Sequence, residues 1–152
     1  MQAFLDLLPY IPPTDVALFC GILGLFLGSF YNVCSDRYLS GESILWPPSH
    51  CTACNAKLSP LELIPLVSWL VLRGRCRHCG AVIGWRYPLM ELASGFFAAL
   101  VGYRFGASVA CLIGLVFTGL FLVLSAIDLQ AFLLPDKMTF PGAILAVPAA
   151  VY

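Results

Sequence analysis

The sequence predicts an all-α integral membrane protein, a polytopic helical bundle that carries a cytoplasmic, zinc-knuckle-like loop. Two observations predict this fold class. The 152 residues are 61% hydrophobic and only 11% charged, whereas a soluble domain has about 25% charged residues. Two C-x-x-C pairs, Cys51–Cys54 and Cys76–Cys79, lie in a polar segment between long apolar stretches. We therefore expect a metal-binding module within a membrane protein.

The first part, residues 1–35, is predicted to comprise a lead-in and the first transmembrane helix. Residues 16–33 are apolar and uncharged, and their number is close to the about 20 residues that cross a bilayer. No Lys or Arg precedes Arg37, so the chain lacks the basic start of a secretory signal. Three glycines lie at near-helical spacing: Gly21, Gly24 and Gly28. This spacing favours close contact with another helix. The alternative is a helix that serves only as a membrane anchor.

The second part, residues 36–87, is predicted to be a cytoplasmic loop. It holds six of the eight Lys and Arg residues, and loops rich in these residues remain in the cytoplasm. The formal net charge of the whole chain is +0 and no long basic run occurs. We therefore expect the lipid bilayer, and no nucleic acid, as a partner. We find no internal repeat.

The third part, residues 88–152, is predicted to contain transmembrane helices two to four. Apolar runs at 89–103 and 108–127 give two spans joined by a short link. A fourth run begins near Met138 and still continues at Tyr152, so we expect the chain to be cut within a helix. Counting spans from the cytoplasmic loop returns the chain to the cytoplasm near Ile127.

The four paired cysteines predict a structural zinc site. Thiolates suit Zn²⁺, and four of them close its tetrahedral shell without an open position for water. The alternative is a redox role for each C-x-x-C pair, which a cytoplasmic location makes less favourable. His50 and His78 adjoin the cluster but are expected to be exposed loop residues. The other cysteines are expected to be small buried hydrophobes: Cys20, Cys34 and Cys111.

Asp128 is the candidate catalytic residue. It directly follows the uncharged run 108–127, at a span end where a carboxylate can act as an acid or base. The alternative is an interfacial cap or an ion-pair partner. Aspartic hydrolysis needs two carboxylates about 3 Å apart. Asp136, which follows Pro135 and precedes an apolar run, is expected to cap the fourth helix rather than supply the second one.

Five motifs together extend over nearly all of the chain from Gly28 onward. They are G-S-F-Y-N-V at 28–33 with Arg37, the cysteine quartet, I-P-L-V-S-W-L at 64–70, R-Y-P-L-M-E-L at 86–92, and I-D at 127–128 with L-P-D at 134–136. Through them the sequence resembles the type IV prepilin peptidases, bifunctional leader peptidase/N-methyltransferases of the bacterial inner membrane. The sequence departs from the family's pattern at Asp36, Tyr31 and Leu63.

The resemblance implies a membrane aspartic endopeptidase of type IV pilus and type II secretion systems. Such an enzyme cuts the leader from prepilins and pseudopilins at the cytoplasmic face. It then methylates the new N-terminus with S-adenosylmethionine, for which Gly74 is the candidate binding residue. The resemblance also implies that Asp128 is the first catalytic aspartate. The second is expected in a G-x-G-D motif that this sequence lacks, so the chain looks like the N-terminal half. The alternative function is a non-catalytic membrane scaffold or assembly component with a zinc loop.

Overall fold

The computed structural model describes residues 11–131, and it is helical over this range. The elements are α1 (Pro13–Ser40), a 3₁₀ helix (Pro60–Leu63), α2 (Val67–Val71), α3 (Arg86–Phe105) and α4 (Val109–Ala131). No strand forms between residues 11 and 131, where pairing is limited to two isolated β-bridges. The helical part of the predicted fold class is therefore confirmed.

Two helices are long and apolar enough to cross a membrane. Within residues 11–131 they are α1, with 28 residues, and α4, with 23. α1 contains the predicted span 16–33, and α4 contains the predicted span 108–127 except for Ser108. The predicted second span lies within α3, which has 20 residues and carries Arg86, Glu91 and Arg104. The fourth apolar run and Asp136 lie outside the described residues. The number of spans and the three-part division therefore stay predictions.

Local sequence sets the ends of the long helices. Pro13 begins α1, at a position where its missing N–H leaves no hydrogen bond unmade. Gly41 ends α1 with φ 73°, a left-handed conformation that glycine adopts without a Cβ clash. Gly106, with φ 58°, likewise follows the last residue of α3. The three-residue link 106–108 then returns the chain as α4.

Helices α1 and α3 pack with their backbones in close approach. A Cβ added to Gly28 would lie 2.7 Å from the Glu91 Cα and 2.9 Å from the Ser94 Cβ. A Cβ added to Gly24 would lie 2.6 Å from the Ala98 Cβ. Small residues on both helices thus let the two backbones meet, as expected for helix contacts in lipid. The predicted close contact is confirmed, and its partner is α3.

We expect Gly28→Ala to destabilise the bundle more than the matched variant Gly21→Ala does. The new methyl group at position 28 must displace the α3 backbone, whereas at position 21 it would lie 3.3 Å from the Ala99 Cβ. Overpacking of this kind costs about 1–3 kcal/mol, and both variants gain the same helix propensity. Thermal unfolding of the detergent-solubilised protein measures the difference. Equal unfolding midpoints for the two variants would contradict the packing argument.

Helix α4 brings Asp128 to the end of the bundle that carries the cysteine loop. Ile127 is fully buried and packs with Cys34, close to the end of α1. Gln130, two residues after Asp128, lines a cavity together with residues of the loop. At the opposite end Cys20 and Cys111 are buried together, their Sγ atoms 3.9 Å apart. As predicted, the three cysteines outside the pairs are buried.

Candidate metal centre and cavity

The two C-x-x-C segments fold into the same local structure. In each, the N–H of the first cysteine donates to the carbonyl five residues later, at 2.9 Å for Cys51 and 2.8 Å for Cys76. The carbonyl of the same cysteine accepts from the residue four positions on, which has positive φ: Asn55 at 55° and Gly80 at 72°. The two segments share the sequence pattern C-x-x-C-(Asn/Gly)-Ala, which indicates this structural similarity.

The repeated turns bring all four predicted metal ligands together. The sulfurs of Cys51, Cys54, Cys76 and Cys79 all lie within 4.8 Å of one another, and the Cys51 and Cys79 sulfurs are 3.9 Å apart. Tetrahedral Zn–S bonds of about 2.3 Å place sulfurs about 3.8 Å apart. The donor set and its spacing thus fit a zinc ion.

The neighbouring histidines have other contacts. The Nδ1 of His50 lies 3.1 Å from the carbonyl of Pro48. The Nε2 of His78 lies 3.9 Å from the Oε1 of Glu62, and His78 is exposed. Neither histidine belongs to the cluster of possible ligands found within residues 11–131. His78 is exposed as expected, whereas His50, which was expected to be exposed, is half-buried.

The thiols of Cys51 and Cys79 differ in pKa. Hydrogen bonds from the backbone N–H groups of Ala53 and Cys54 lower the pKa of Cys51 to about 7. At Cys79 the N–H of Ala81 favours the thiolate, but hydrogen bonds with neighbouring cysteine sulfurs and desolvation raise its pKa to about 11. A metal ion must therefore displace protons from the cluster at neutral pH.

We expect the apparent zinc affinity to rise with pH through the Cys51 pKa of about 7 and on toward the Cys79 pKa of about 11, because thiolates, not thiols, bind the ion. The dependence should be steeper below about pH 7, where the Cys51 thiol is also protonated, than above it. Competition against a chromophoric chelator at a series of pH values measures it. A zinc affinity independent of pH would show that these cysteines are not the ligands.

Hydrogen bonds to two glutamates join residues within the cysteine loop and connect the loop to α3. The N–H and hydroxyl of Ser59 donate to the Oε2 of Glu62, at 2.8 and 2.7 Å. These two bonds, with the nearby His78 and Arg77, lower the pKa of the Glu62 carboxyl. The N–H of Leu66 donates to the Oε2 of Glu91 at 2.7 Å, which fixes the loop above α3.

A second set of polar contacts joins the ends of α1 and α3. Asp36 forms an ion pair with Arg86 and accepts a 2.8 Å hydrogen bond from the Tyr87 hydroxyl. Arg37, which is buried, donates to the carbonyls of residues 43, 44 and 47 and so orders the start of the loop. Asp36, noted as a departure from the family's pattern, thus has a structural partner on α3.

A cavity of about 790 Å³ lies between the loop and the helix ends. Its wall includes Ser29, Asn32 and Glu91 from α1 and α3, apolar loop residues such as Trp69, and Gln130 from α4. Sequence reasoning missed this cavity. A glutamate within an apolar run, at position 91, was the signal that could have indicated it.

Two predicted site residues lie outside the cavity wall. Asp128 is half-buried at the same end of the bundle. Gly74 is buried against Trp69, whose ring would lie 2.8 Å from an added Cβ, and has φ 65°. This environment gives Gly74 a packing role, and its assignment to methyl transfer stays a prediction.

A family model, the bacterial peptidase A24 N-terminal domain, matches residues 22–105. The chain belongs to this family. The match spans most of α1, the whole cysteine loop and all of α3. The A24 N-terminal domain is therefore the part of the fold that contains the cysteine cluster and most of the cavity wall.

Curated relatives of this A24 chain carry the name prepilin leader peptidase/N-methyltransferase. The protein from Myxococcus xanthus is 45% identical over 136 residues, covering 88% of this chain and 40% of its own length. The Klebsiella pneumoniae protein is 42% identical, covering 81% and 57%, and the Dickeya chrysanthemi protein 38%, covering 79% and 50%. The chain thus spans about half the length of these relatives. No solved structure matches it.

Proposed function

We propose that this protein is a membrane aspartic peptidase of the bacterial inner membrane. It removes the leader of type IV prepilins and of the pseudopilins of type II secretion at the cytoplasmic face, and it N-methylates the new N-terminus. The observation that carries the proposal is the family match over residues 22–105, together with relatives named for both activities. In this proposal α1, α3 and α4 cross the membrane and the cysteine loop is cytoplasmic.

The position of Asp128 supports the peptidase activity. It lies near the end of α4, where its neighbour Ile127 packs with Cys34 of α1 and Gln130 lines the cavity together with loop residues. The positive-inside rule assigns this basic loop to the cytoplasm. The carboxylate is thus available at the membrane border, where a leader on the cytoplasmic side can reach it. Asp128 would act with a second carboxylate, one of the two accepting a proton from water while the other donates one.

The cysteine cluster supports the cytoplasmic part of the proposal. Cys51, Cys54, Cys76 and Cys79 would hold a structural Zn²⁺, which contributes folding free energy to a loop with little hydrophobic core. S-adenosylmethionine, when bound, supplies the methyl group. The four-sulfur shell leaves no position at which the zinc could bind water, so the zinc takes no part in the cleavage step.

Co-expression of the natural protein with a prepilin, followed by mass spectrometry of the pilin, tests the proposal. We expect loss of the leader and a mass increase of one methyl group on the new N-terminus. A pilin that keeps its leader, despite a membrane-inserted and zinc-loaded protein, would overturn the peptidase proposal. That result would favour the alternative, a non-catalytic scaffold in which the cysteines matter only for stability.

A further inference from the structure

We propose that residues 58–72, which include α2, lie in the surface layer of the cytoplasmic leaflet, with anionic phospholipids as their partner. We call this stretch the interfacial segment. The inference rests on the membrane topology of the proposed function and goes beyond it, since it places part of the cysteine loop within the lipid surface instead of in the cytoplasm.

The interfacial segment is more apolar than the rest of the cysteine loop. Glu62 is its only charged residue, and the carboxylate of Glu62 accepts its hydrogen bonds from within the segment. The next five residues of the chain contain Arg73, Arg75 and Arg77. An apolar stretch beside a group of basic residues is typical of a segment that lies on a membrane surface.

Helix α2 exposes large apolar side chains on one side. Val67, Leu70 and Val71 are 52%, 66% and 74% exposed, and their i, i+3, i+4 spacing places them together on the helix surface. Trp69, in contrast, is held within the loop, because its Nε1 donates to the Ile83 carbonyl at 3.1 Å. A group of exposed apolar side chains marks an interaction surface.

A hydrogen bond fixes the depth of α2 relative to the predicted span of α1. The N–H of Leu66, directly before α2, donates to the Oε2 of Glu91 at 2.7 Å. A Cβ added to Gly28 would lie 2.7 Å from the Glu91 Cα, so Glu91 is level with Gly28. This glycine is five residues inside the end of the uncharged run 16–33, or about 7.5 Å along the helix.

The start of α2 therefore lies near the border of the hydrocarbon core. Helices on a membrane surface bury their apolar side about 5–10 Å into this border, which is the depth that the Leu66–Glu91 hydrogen bond gives to α2. The exposed side of α2 then continues the lipid-facing surface of α3, on which Leu89 and Leu92 are exposed.

Two tryptophans beside the interfacial segment fit the same layer. Trp85, which directly precedes α3, is 75% exposed. It packs against Trp69 of α2, with the ring centroids 4.3 Å apart. Tryptophan is enriched at the level where a membrane-spanning helix enters the headgroup region, so this pair indicates that α2 lies at that level.

The arginines that follow α2 favour anionic lipid as the occupant. Arg73 and Arg75 are exposed, and the ion pairs formed within residues 11–131 involve His78 and Arg86 instead. A guanidinium group binds phosphate through paired hydrogen bonds. The leaflet supplies hydrocarbon for the exposed side of α2 and phosphate for these charges, whereas a purely apolar protein surface would supply only the first.

Labelling from within the bilayer tests the inference. The natural protein is reconstituted in vesicles of phosphatidylcholine and phosphatidylglycerol that contain a trace of phospholipid with a diazirine near the start of its acyl chain. After ultraviolet activation, peptide mapping by mass spectrometry should find lipid adducts on residues 58–72 as well as on α1 and α4. Adducts on α1 and α4 but none on 58–72 would overturn the inference, whether water or another part of the protein covers α2.

A pair of acidic substitutions tests the role of the exposed side of α2. We expect Leu70→Asp combined with Val71→Asp to remove the adducts on residues 58–72 and to keep those on α1 and α4, because carboxylates are excluded from hydrocarbon. The matched control combines Leu45→Asp with Val82→Asp, at exposed apolar loop positions outside the segment, and should label like the wild type. Adducts that persist on 58–72 in the α2 variant would overturn the inference.

The lipid composition tests the role of the arginines. We expect fewer adducts on residues 58–72 of the wild type when phosphatidylglycerol is omitted from the vesicles. Labelling that is equal with and without phosphatidylglycerol would overturn the assignment to anionic lipid.

Leader cleavage, measured in the same vesicles, separates this inference from the peptidase proposal. Cleavage without adducts on residues 58–72 would overturn only the inference. Adducts on 58–72 without cleavage would support the inference and overturn the peptidase proposal. Absence of adducts from α1 and α4 as well would overturn the membrane topology on which both depend.

Discussion

We expect Asp128→Asn to abolish leader cleavage while leaving the protein inserted, folded and zinc-loaded. Asparagine has the size of aspartate but cannot accept or share a proton, so water would lose its general base. Loss of one acid/base group costs about 10²–10⁴-fold in rate, and a dyad that shares one proton loses function entirely when one member cannot ionise. The measurement is the fraction of co-expressed prepilin that keeps its leader.

The matched control for this prediction is Asp15→Asn, at the opposite end of the bundle. Both variants remove one carboxylate near an end of a long apolar helix, but only Asp128 lies at the loop end. Cleavage at the wild-type rate in Asp128→Asn would exclude it as a catalytic residue.

The parts of the structure that the sequence predicts are those governed by local pattern. Two uncharged runs longer than sixteen residues form most of α1 and α4: residues 16–33 and 108–127. The spacing within each C-x-x-C pair is what one turn needs to direct two thiolates at a single ion. Neither prediction requires knowledge of contacts between residues that are far apart in the sequence.

The parts that the sequence did not predict depend on contacts between distant residues. The hydrogen bond from the Leu66 N–H to Glu91 joins residues 25 positions apart, and the bond from Asn32 to the Tyr87 carbonyl joins residues 55 apart. The glycines of α1 indicated a close helix contact but not that α3 supplies it. The cavity is formed by these contacts, so no single motif could indicate it.

We expect Cys76→Ala to remove zinc from the protein and to unfold the cysteine loop. Structural zinc contributes about 10–16 kcal/mol of apparent binding free energy in small zinc-binding peptides. The loop has little else to replace it, since Cys76 is one of its few buried residues. Zinc content by elemental analysis and protease sensitivity within residues 41–85 are the measurements. The matched control is Cys34→Ala, a buried cysteine of α1 outside the cluster.

The same variant separates structural zinc from a redox role. If zinc orders the loop, Cys76→Ala and treatment of the wild type with a chelator should give the same protease-sensitive loop. If the C-x-x-C pairs act as dithiols, the loop should resist the chelator, and a reductant should change the mass of the wild type by the hydrogens of a disulfide. Zinc at wild-type content in Cys76→Ala would contradict the four-sulfur site, because three thiolates alone leave the tetrahedral shell open.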